Sequence, residues 1–304
     1  MQNKEELARI IVEEKMGKKA LRIKQFPTGL SHFVFDISTE NGYSIVIRIA
    51  RPERTQEFER GIRWHEIIEG VGVQLPKIFE IGEINGHRFA VYERLKGDDL
   101  ENVYQFLSAQ EKKSIAEEVA DIQHKISRVD QGHFERIIPW HDFLLMIIAR
   151  SEREILSHGL CNPKYIDLVR EEIEKQTEYF HMFKSVTFLY DLSIRNAIIY
   201  KGKVSGIIDV DDVWFGDPLL AIGRGKTILK AMRQDTEFIK HWCEHINLSS
   251  QEMKMVELYS LLYCLRFMGS IGTRLNGNAS IQTNPENAQL FEKMADEIMG
   301  QGAH

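Results

Sequence analysis

The stretch Phe188-Leu189-Tyr190-Asp191-Leu192-Ser193-Ile194-Arg195-Asn196, followed by Gly206-Ile207-Ile208-Asp209, decides the reading of this chain. It holds an Asp, an Asn five positions later, and a second Asp that closes an apolar run. Residues 196–200 and 204–208 read as two short strands, with Lys201-Gly202-Lys203 turning between them. Such a hairpin brings Asn196 and Asp209 to one end, within reach of one metal ion, with Asp191 in the loop just before it. Phosphoryl transfer from a nucleotide uses these parts. A carboxylate orients the acceptor hydroxyl and takes its proton, while an Asn and an Asp hold magnesium on the phosphates. A lone Asp-x4-Asn is common, and acidic residues at a hairpin end are most often solvated turn formers. The ordered set, completed by Gly216-Asp217-Pro218, is what carries the functional reading.

The segment from Leu189 to Pro218 resembles the catalytic loop and metal-binding segment of the aminoglycoside phosphotransferase family, a branch of the protein-kinase-like fold. That family shows His-Gly-Asp, four residues, Asn, then Ile-Ile-Asp-Trp-Glu and Gly-Asp-Pro. Here the first triplet is Leu189-Tyr190-Asp191 and the later one Asp209-Val210-Asp211. Leu189 stands for the His and Val210 for the Trp. Ala221-Ile222-Gly223 stands where Asp-Leu-Ala is frequent.

The resemblance implies an α+β, bilobal protein-kinase-like fold. A small antiparallel sheet lobe with one helix would span residues 1–96, and a larger, mainly helical catalytic and substrate-binding lobe residues 97–304. It implies Asp191 as the catalytic carboxylate and Asn196 and Asp209 as ligands of Mg²⁺. ATP or GTP would be the donor, bound between the lobes. Gly29 and Ser31 fall in the expected phosphate-covering loop, which has one glycine. Arg48 ends a strand where a kinase places its phosphate-contacting Lys; the charge is kept and the geometry differs. Glu59 is the expected helical partner of Arg48, with Glu57 second. The backbone of Glu93 to Leu95 is expected to meet the purine edge. Asp211 and Asp212 are candidate walls of the acceptor site. The first acceptor implied is an aminoglycoside, and with it antibiotic resistance. The family also contains kinases for macrolides, choline, sugars and amino-alcohols. A non-catalytic nucleotide-binding protein is the reading from another class, motivated by Leu189, Arg48 and the sparse glycine loop. A protein-directed kinase is disfavoured, because Asp209 and Gly216 leave no room for a long activation segment.

Composition agrees with a globular protein, at 43% hydrophobic and 28% charged residues. No apolar run reaches the roughly 20 residues that span a bilayer, so no membrane partner is expected. The start of the chain lacks the apolar segment of a signal peptide. Cys161, Cys243 and Cys264 are few and widely spaced, which disfavours a disulfide framework and fits a reducing cytoplasm. Residues 1–96 carry 16 Lys and Arg against 14 Asp and Glu; the remaining residues carry 23 against 31. No nucleic-acid partner is expected from that balance. The acidic second half suits a cationic small molecule, or solubility alone.

Periodicity predicts a helix at 4–16, strands at 21–24, 33–38 and 43–50, a helix at 55–68, and strands at 77–84 and 88–94 around Asn85-Gly86. Beyond Gly97, helices are expected at 110–127, 141–156, 163–182, 220–232, 234–246, 250–272 and 285–299. The histidines, His124 included, read as packing residues.

Overall fold

The computed structural model describes residues 4–26, 31–40, 42–192, 194–272 and 285–301. Helix α1 (Lys4–Met16) leads into β1 (Ala20–Gln25), β2 (Phe33–Thr39) and β3 (Ser44–Ile49). Helix α2 (Thr55–Gly70) follows, then β4 (Ile78–Ile84) and β5 (His87–Glu93). The five strands form one antiparallel sheet in the order β1-β2-β3-β5-β4. Strand alternation gives the sheet two different faces. Phe35, Ile37, Ile45, Ile47, Phe89 and Val91 pack on Leu7, Ala8, Ile11 and Val12 of α1. Ala90 faces the other way, onto Phe58 and Ile62 of α2. Arg48, between Ile47 and Ile49 and paired in register with Ala90, shares that second face.

The remainder is mainly helical, with β6 (Asp98–Asp99), α3 (Leu100–Val103), α4 (Ala109–Ile126), α5 (Trp140–His158), α6 (Lys164–Glu174) and α7 (Thr177–Met182). Next come β7 (Val186–Leu189), β8 (Ala197–Tyr200), β9 (Lys203–Ile207) and β10 (Val213–Gly216). The chain closes with α8 (Leu219–Ala231), α9 (Glu237–His245), α10 (Ser250–Ser270) and α11 (Pro285–Gln301). The small sheet lobe and larger helical lobe expected from the sequence are therefore observed. The predicted helix at 163–182 is two helices: Gln176 leaves the helical range and the Thr177 hydroxyl donates to the Glu174 carbonyl. Strands β7 and β10 were not expected. They are four residues each and pair across a long connection, so no local turn announces them. The hairpin β8–β9 has its expected turn, and the Ile208 N–H donates to the Asn196 carbonyl at 2.9 Å, extending the pairing to the functional end.

Helix α10 is the axis of the larger lobe, buried from Met255 through Met268 on most of its surface. Helix α8 lies against it. Asp217 fastens the start of α8: its Oδ1 accepts the Leu219 N–H, and its Oδ2 accepts the hydroxyls of Tyr259 and Tyr179. The Tyr259 hydroxyl in turn accepts Trp140 Nε1–H at 3.0 Å. At Gly223 the helices come closest; a Cβ there would sit 2.6 Å from Tyr259 Cβ and 2.9 Å from Ser260 N. The Thr227 hydroxyl meets the Ser260 carbonyl at 3.0 Å and shares a hydrogen bond with the Ser260 hydroxyl at 2.9 Å.

Gly223→Ala tests this contact. Ala gains about 1 kcal/mol in helix propensity over Gly. Overpacking costs about 1–3 kcal/mol, and here the obstacle is the partner helix itself. A lower Tm and denaturant midpoint are expected; an unchanged or higher Tm would refute the tight seat.

Candidate active site

Sheet alternation aims Arg48 at the cleft, where its side chain is 14% exposed. Its guanidinium grips Asp211 with both arms: Nη1 donates to Oδ1 at 3.0 Å and Nη2 to Oδ2. Asp209 Oδ1 is 3.9 Å from the same Nη2. Burial alone would lower the Arg48 pKa; the charges of Asp211 and Asp209 outweigh it and raise it. The guanidinium stays charged throughout the working pH range.

The expected partner of Arg48, Glu59, pairs instead with Arg88 on an exposed flank of the sheet lobe. Helical phase explains the difference. Phe58, Gly61, Ile62 and His65 form the buried face of α2, at spacings of three and four. The α2 position beside the Arg48 pair is thus Gly61, which has no side chain. A Cβ there would lie 2.4 Å from Asp211 Oδ1. The carboxylate that meets Arg48 comes from the hairpin segment because α2 makes room for it. Glu57, the second candidate, pairs with Arg54 at 3.2 Å, and Arg54 also donates to Ser31 Oγ at 3.0 Å.

A cavity of about 80 Å³ gathers Ser31, Glu57, Arg60, Asp191, Asp209, Asp211 and Asp212. Of the sequence-expected residues it brings together Ser31, Asp191, Asp209, Asp211 and Asp212. Asn196 is buried behind them, its amide nitrogen donating to the Asp191 carbonyl at 2.9 Å. Gly29 lies outside the described residues. Glu93 ends β5, its N–H donating to the Lys77 carbonyl at 2.8 Å and its carboxylate accepting the Lys77 N–H. Leu95 is buried, with Cδ1 2.8 Å from where a Cβ on Gly206 would stand. A larger cavity, about 440 Å³, lies among α8, α9 and α10 and includes none of these residues. Side-chain chemistry, not size, marks the cleft as the site.

Charge is crowded here. Asp209 takes a left-handed backbone conformation (φ 55°), uncommon outside glycine. Its carboxyl is pushed up to about 7 by desolvation within the cleft walls and then by Asp211, against the pull of Arg48; Asp191 and Asp212 add to the rise. Asp212 is raised by desolvation and by Asp191 and Asp211, while Arg224 and Arg60 oppose the shift. The Asp209 side chain is 60% exposed to the cleft. Negative charge from its neighbours is the part of the shift that a divalent cation would reverse.

The donor set fits Mg²⁺. Asn196 keeps its amide oxygen as an acceptor, and Asp209 offers a hard, charged oxygen. Among the described residues no three His, Cys, Asp or Glu converge as a metal cage. Mg²⁺ needs none, since it binds through one or two carboxylates plus substrate phosphates and water.

A family model described as the phosphotransferase enzyme family matches residues 22–225. The chain belongs to that family. No curated protein sequence is similar enough to count as a relative. Among solved structures, the GDP complex of wild-type aminoglycoside 2'-phosphotransferase-IIIa has a TM-score of 0.75 at 16% identity, covering 97% of this chain and 99% of that one. ADP-bound aminoglycoside phosphotransferase APH(2'')-Ib gives 0.67 at 16%, covering 98% and 97%. A ternary complex of a thermostable APH(4)-Ia mutant with ADP and hygromycin B gives 0.68 at 15%, covering 97% and 99%. At these identities the likeness is one of fold.

In this phosphotransferase Leu189 is fully buried, and its N–H donates to Gln123 Oε1 at 3.3 Å. Sequence reasoning missed Gly61, Arg60, Arg224 and the pairing of Asp211 with Arg48. Gly61 left a signal, an isolated glycine between Phe58 and Ile62 inside a helical pattern. Arg224 left one too, the first charge after the apolar run 219–223 in a helical pattern.

Two expectations follow from this geometry. Gly61→Ala should lower the Tm, because displacing a partly buried charged pair outweighs the roughly 1 kcal/mol that Ala gains in helix propensity. It should lower Mg·ATP turnover roughly 10- to 100-fold, the scale of a lost charged hydrogen bond, as Asp211 is driven off Arg48. Steady-state rates beside thermal melts check this, and unchanged turnover would count against it.

The second concerns His32, which is 2% exposed and set edge-on against Phe58 with ring centroids 5.5 Å apart. Neither ring nitrogen has a hydrogen-bond partner among the described residues. Desolvation first, then Arg48, lowers its pKa from 6.5 to about 3. The unfolded chain therefore takes up this proton first as pH falls, and the contribution of neutral His32 is lost from about 6.5 downward. The Tm of the wild type should fall more steeply than that of His32→Phe between pH 7 and 4. Parallel curves would show that His32 does not titrate in this way.

Proposed function

We propose that this phosphotransferase moves the γ-phosphoryl group of a nucleoside triphosphate to a hydroxyl of a small acceptor. The observation that carries the reading is the convergence of Asp191, Asn196 and Asp209 at one end of the β8–β9 hairpin, facing Arg48. The residues through 96 would form the nucleotide-binding lobe and those from 97 the catalytic and acceptor-binding lobe.

Asp191 would orient the acceptor hydroxyl and receive its proton. Asn196 holds the Asp191 backbone while its oxygen and Asp209 would hold Mg²⁺, which supplies positive charge to the phosphates when bound. Arg48, charged and committed to Asp211, sets the position of the segment that carries Asp209. Ser31 at the cavity rim would donate to a phosphate oxygen. Arg60, which also lines the cavity, would add positive charge near the transferred group. Positioning and charge neutralisation carry such reactions, with little covalent work for the protein.

ADP and GDP complexes among structural neighbours support a nucleoside triphosphate donor, ATP or GTP. The hygromycin B complex of one neighbour and the acidic balance beyond residue 96 support a cationic, aminoglycoside-like acceptor as the first to try. Among the described residues no helix is long and apolar enough to cross a membrane. Cys161, Cys243 and Cys264 form no disulfide among the described residues, which supports a cytoplasmic setting.

Asp191→Ala decides the reading. Transfer should fall about 10²–10⁴-fold, the range of general acid–base contributions. Nucleotide affinity, measured by calorimetry with Mg·ADP, should hold within a few-fold. A variant that keeps more than about a tenth of wild-type transfer would remove Asp191 from the role.

A further inference from the structure

Asp191 does not stand alone in the cleft. Arg224, from the second turn of α8, places Nη1 on Asp191 Oδ1 in a close ion pair. The arginine side chain is 11% exposed and the aspartate 26%. The Arg224 guanidinium carbon lies 5.8 Å from the Tyr190 ring centre and 5.9 Å from that of Tyr263. One ring belongs to the catalytic loop and the other to α10, and their centres are 6.1 Å apart, so the guanidinium rests against a pair of neighbouring rings where it meets Asp191.

The base of this side chain is as constrained as its tip. Gly223, Lys226 and Thr227 form one face of α8, at spacings of three and four. That face is bound to α10 at Tyr259 and Ser260, at Glu257, and at Ser260 again. Arg224 sits next to Gly223, at the edge of that face, where the helix turns from α10 towards the catalytic loop. Asp217 secures the helix start seven residues earlier. Few positions on α8 are less free to move.

We propose that Arg224 is a positioning residue for phosphoryl transfer: it fixes the Asp191 carboxylate in the orientation that receives the acceptor hydroxyl. The proposal rests on the reading of Asp191 given above. A guanidinium suits the task because it is planar, permanently charged and rests well against aromatic rings; Lys keeps the charge and loses the plane. Its effect runs through Asp191, so it should appear in the rate of the chemical step and not in nucleotide binding.

The experiment uses the full chain with Mg·ATP and water as phosphoryl acceptor, which needs no knowledge of the natural one. Arg224→Lys, Arg224→Gln, Asp191→Asn and the double variant Asp191→Asn with Arg224→Gln are compared by kcat, KM for ATP and thermal melts. Arg224→Gln should lower kcat by about 10²-fold or more, with KM for ATP within about twofold. Arg224→Lys should recover part of the loss. With Asn at 191, the Gln substitution should cost little further rate, because its target is gone. Full multiplication of the two losses, an unchanged kcat, or a loss confined to KM would overturn the proposal. If Arg224→Gln does not fold, Arg224→Lys decides alone: kcat down at constant KM supports positioning, and wild-type kcat refutes it. A wild-type hydrolysis rate equal to that of Asp191→Asn would instead count against Asp191 as the catalytic carboxylate, the reading beneath both.

Discussion

Four carboxylates, from Asp191, Asp209, Asp211 and Asp212, share one small cavity, and their mutual repulsion is the constraint that organises the cleft. Like charges at this range cannot all remain ionised without compensation. The chain supplies arginines from three separate elements: Arg48 from the sheet, Arg60 from α2 and Arg224 from α8. Arg48 takes Asp211 and Arg224 takes Asp191. Asp209 and Asp212 carry the raised pKa values, through desolvation first and then their neighbouring carboxylates. Charge is thus neutralised at Asp211 and Asp191 and left unsettled at Asp209 and Asp212.

This compensation ties the lobes together. Arg48 belongs to the sheet lobe and Asp211 to the segment after the β8–β9 hairpin. The pair between them is a partly buried one, which costs much to break from one side. Gly61 is part of the same arrangement, since it trades helix propensity for the space that Asp211 occupies.

Most of the architecture could be read from local pattern. The alternation Ile45, Ile47, Ile49 around Arg48 already implies that the arginine faces away from the α1 core. The turn at Lys201-Gly202 fixes the register that sets Asn196 beside Ile208. Partnerships between distant residues were another matter. Glu59 and Glu57 carry a carboxylate as Asp211 does, and only the phase of α2 against the sheet decides which carboxylate meets Arg48. Arg224 is 33 residues from Asp191 and reaches it through helix packing at Gly223, a contact no local period encodes. The strands β7 and β10 escaped for the same reason, their pairing being long-range and only four residues deep.

Helix α2 has a consequence of its own. Phe58 and Ile62 lie in a cluster with the sheet residues Ala50 and Ala90. Trp64 and Ile68, one to three turns on, belong to the large core of the helical lobe. One rigid rod is therefore anchored in both lobes. A hinge confined to the connection after Glu93 would have to tear Trp64 and Ile68 from their packing each time the cleft opened. Opening that keeps those contacts must slide side chains along the flank of α2 in small steps, which is shear rather than hinge motion. The cleft of this enzyme should then breathe narrowly, admitting a nucleotide along its edge and giving the site its rigidity before any ligand arrives.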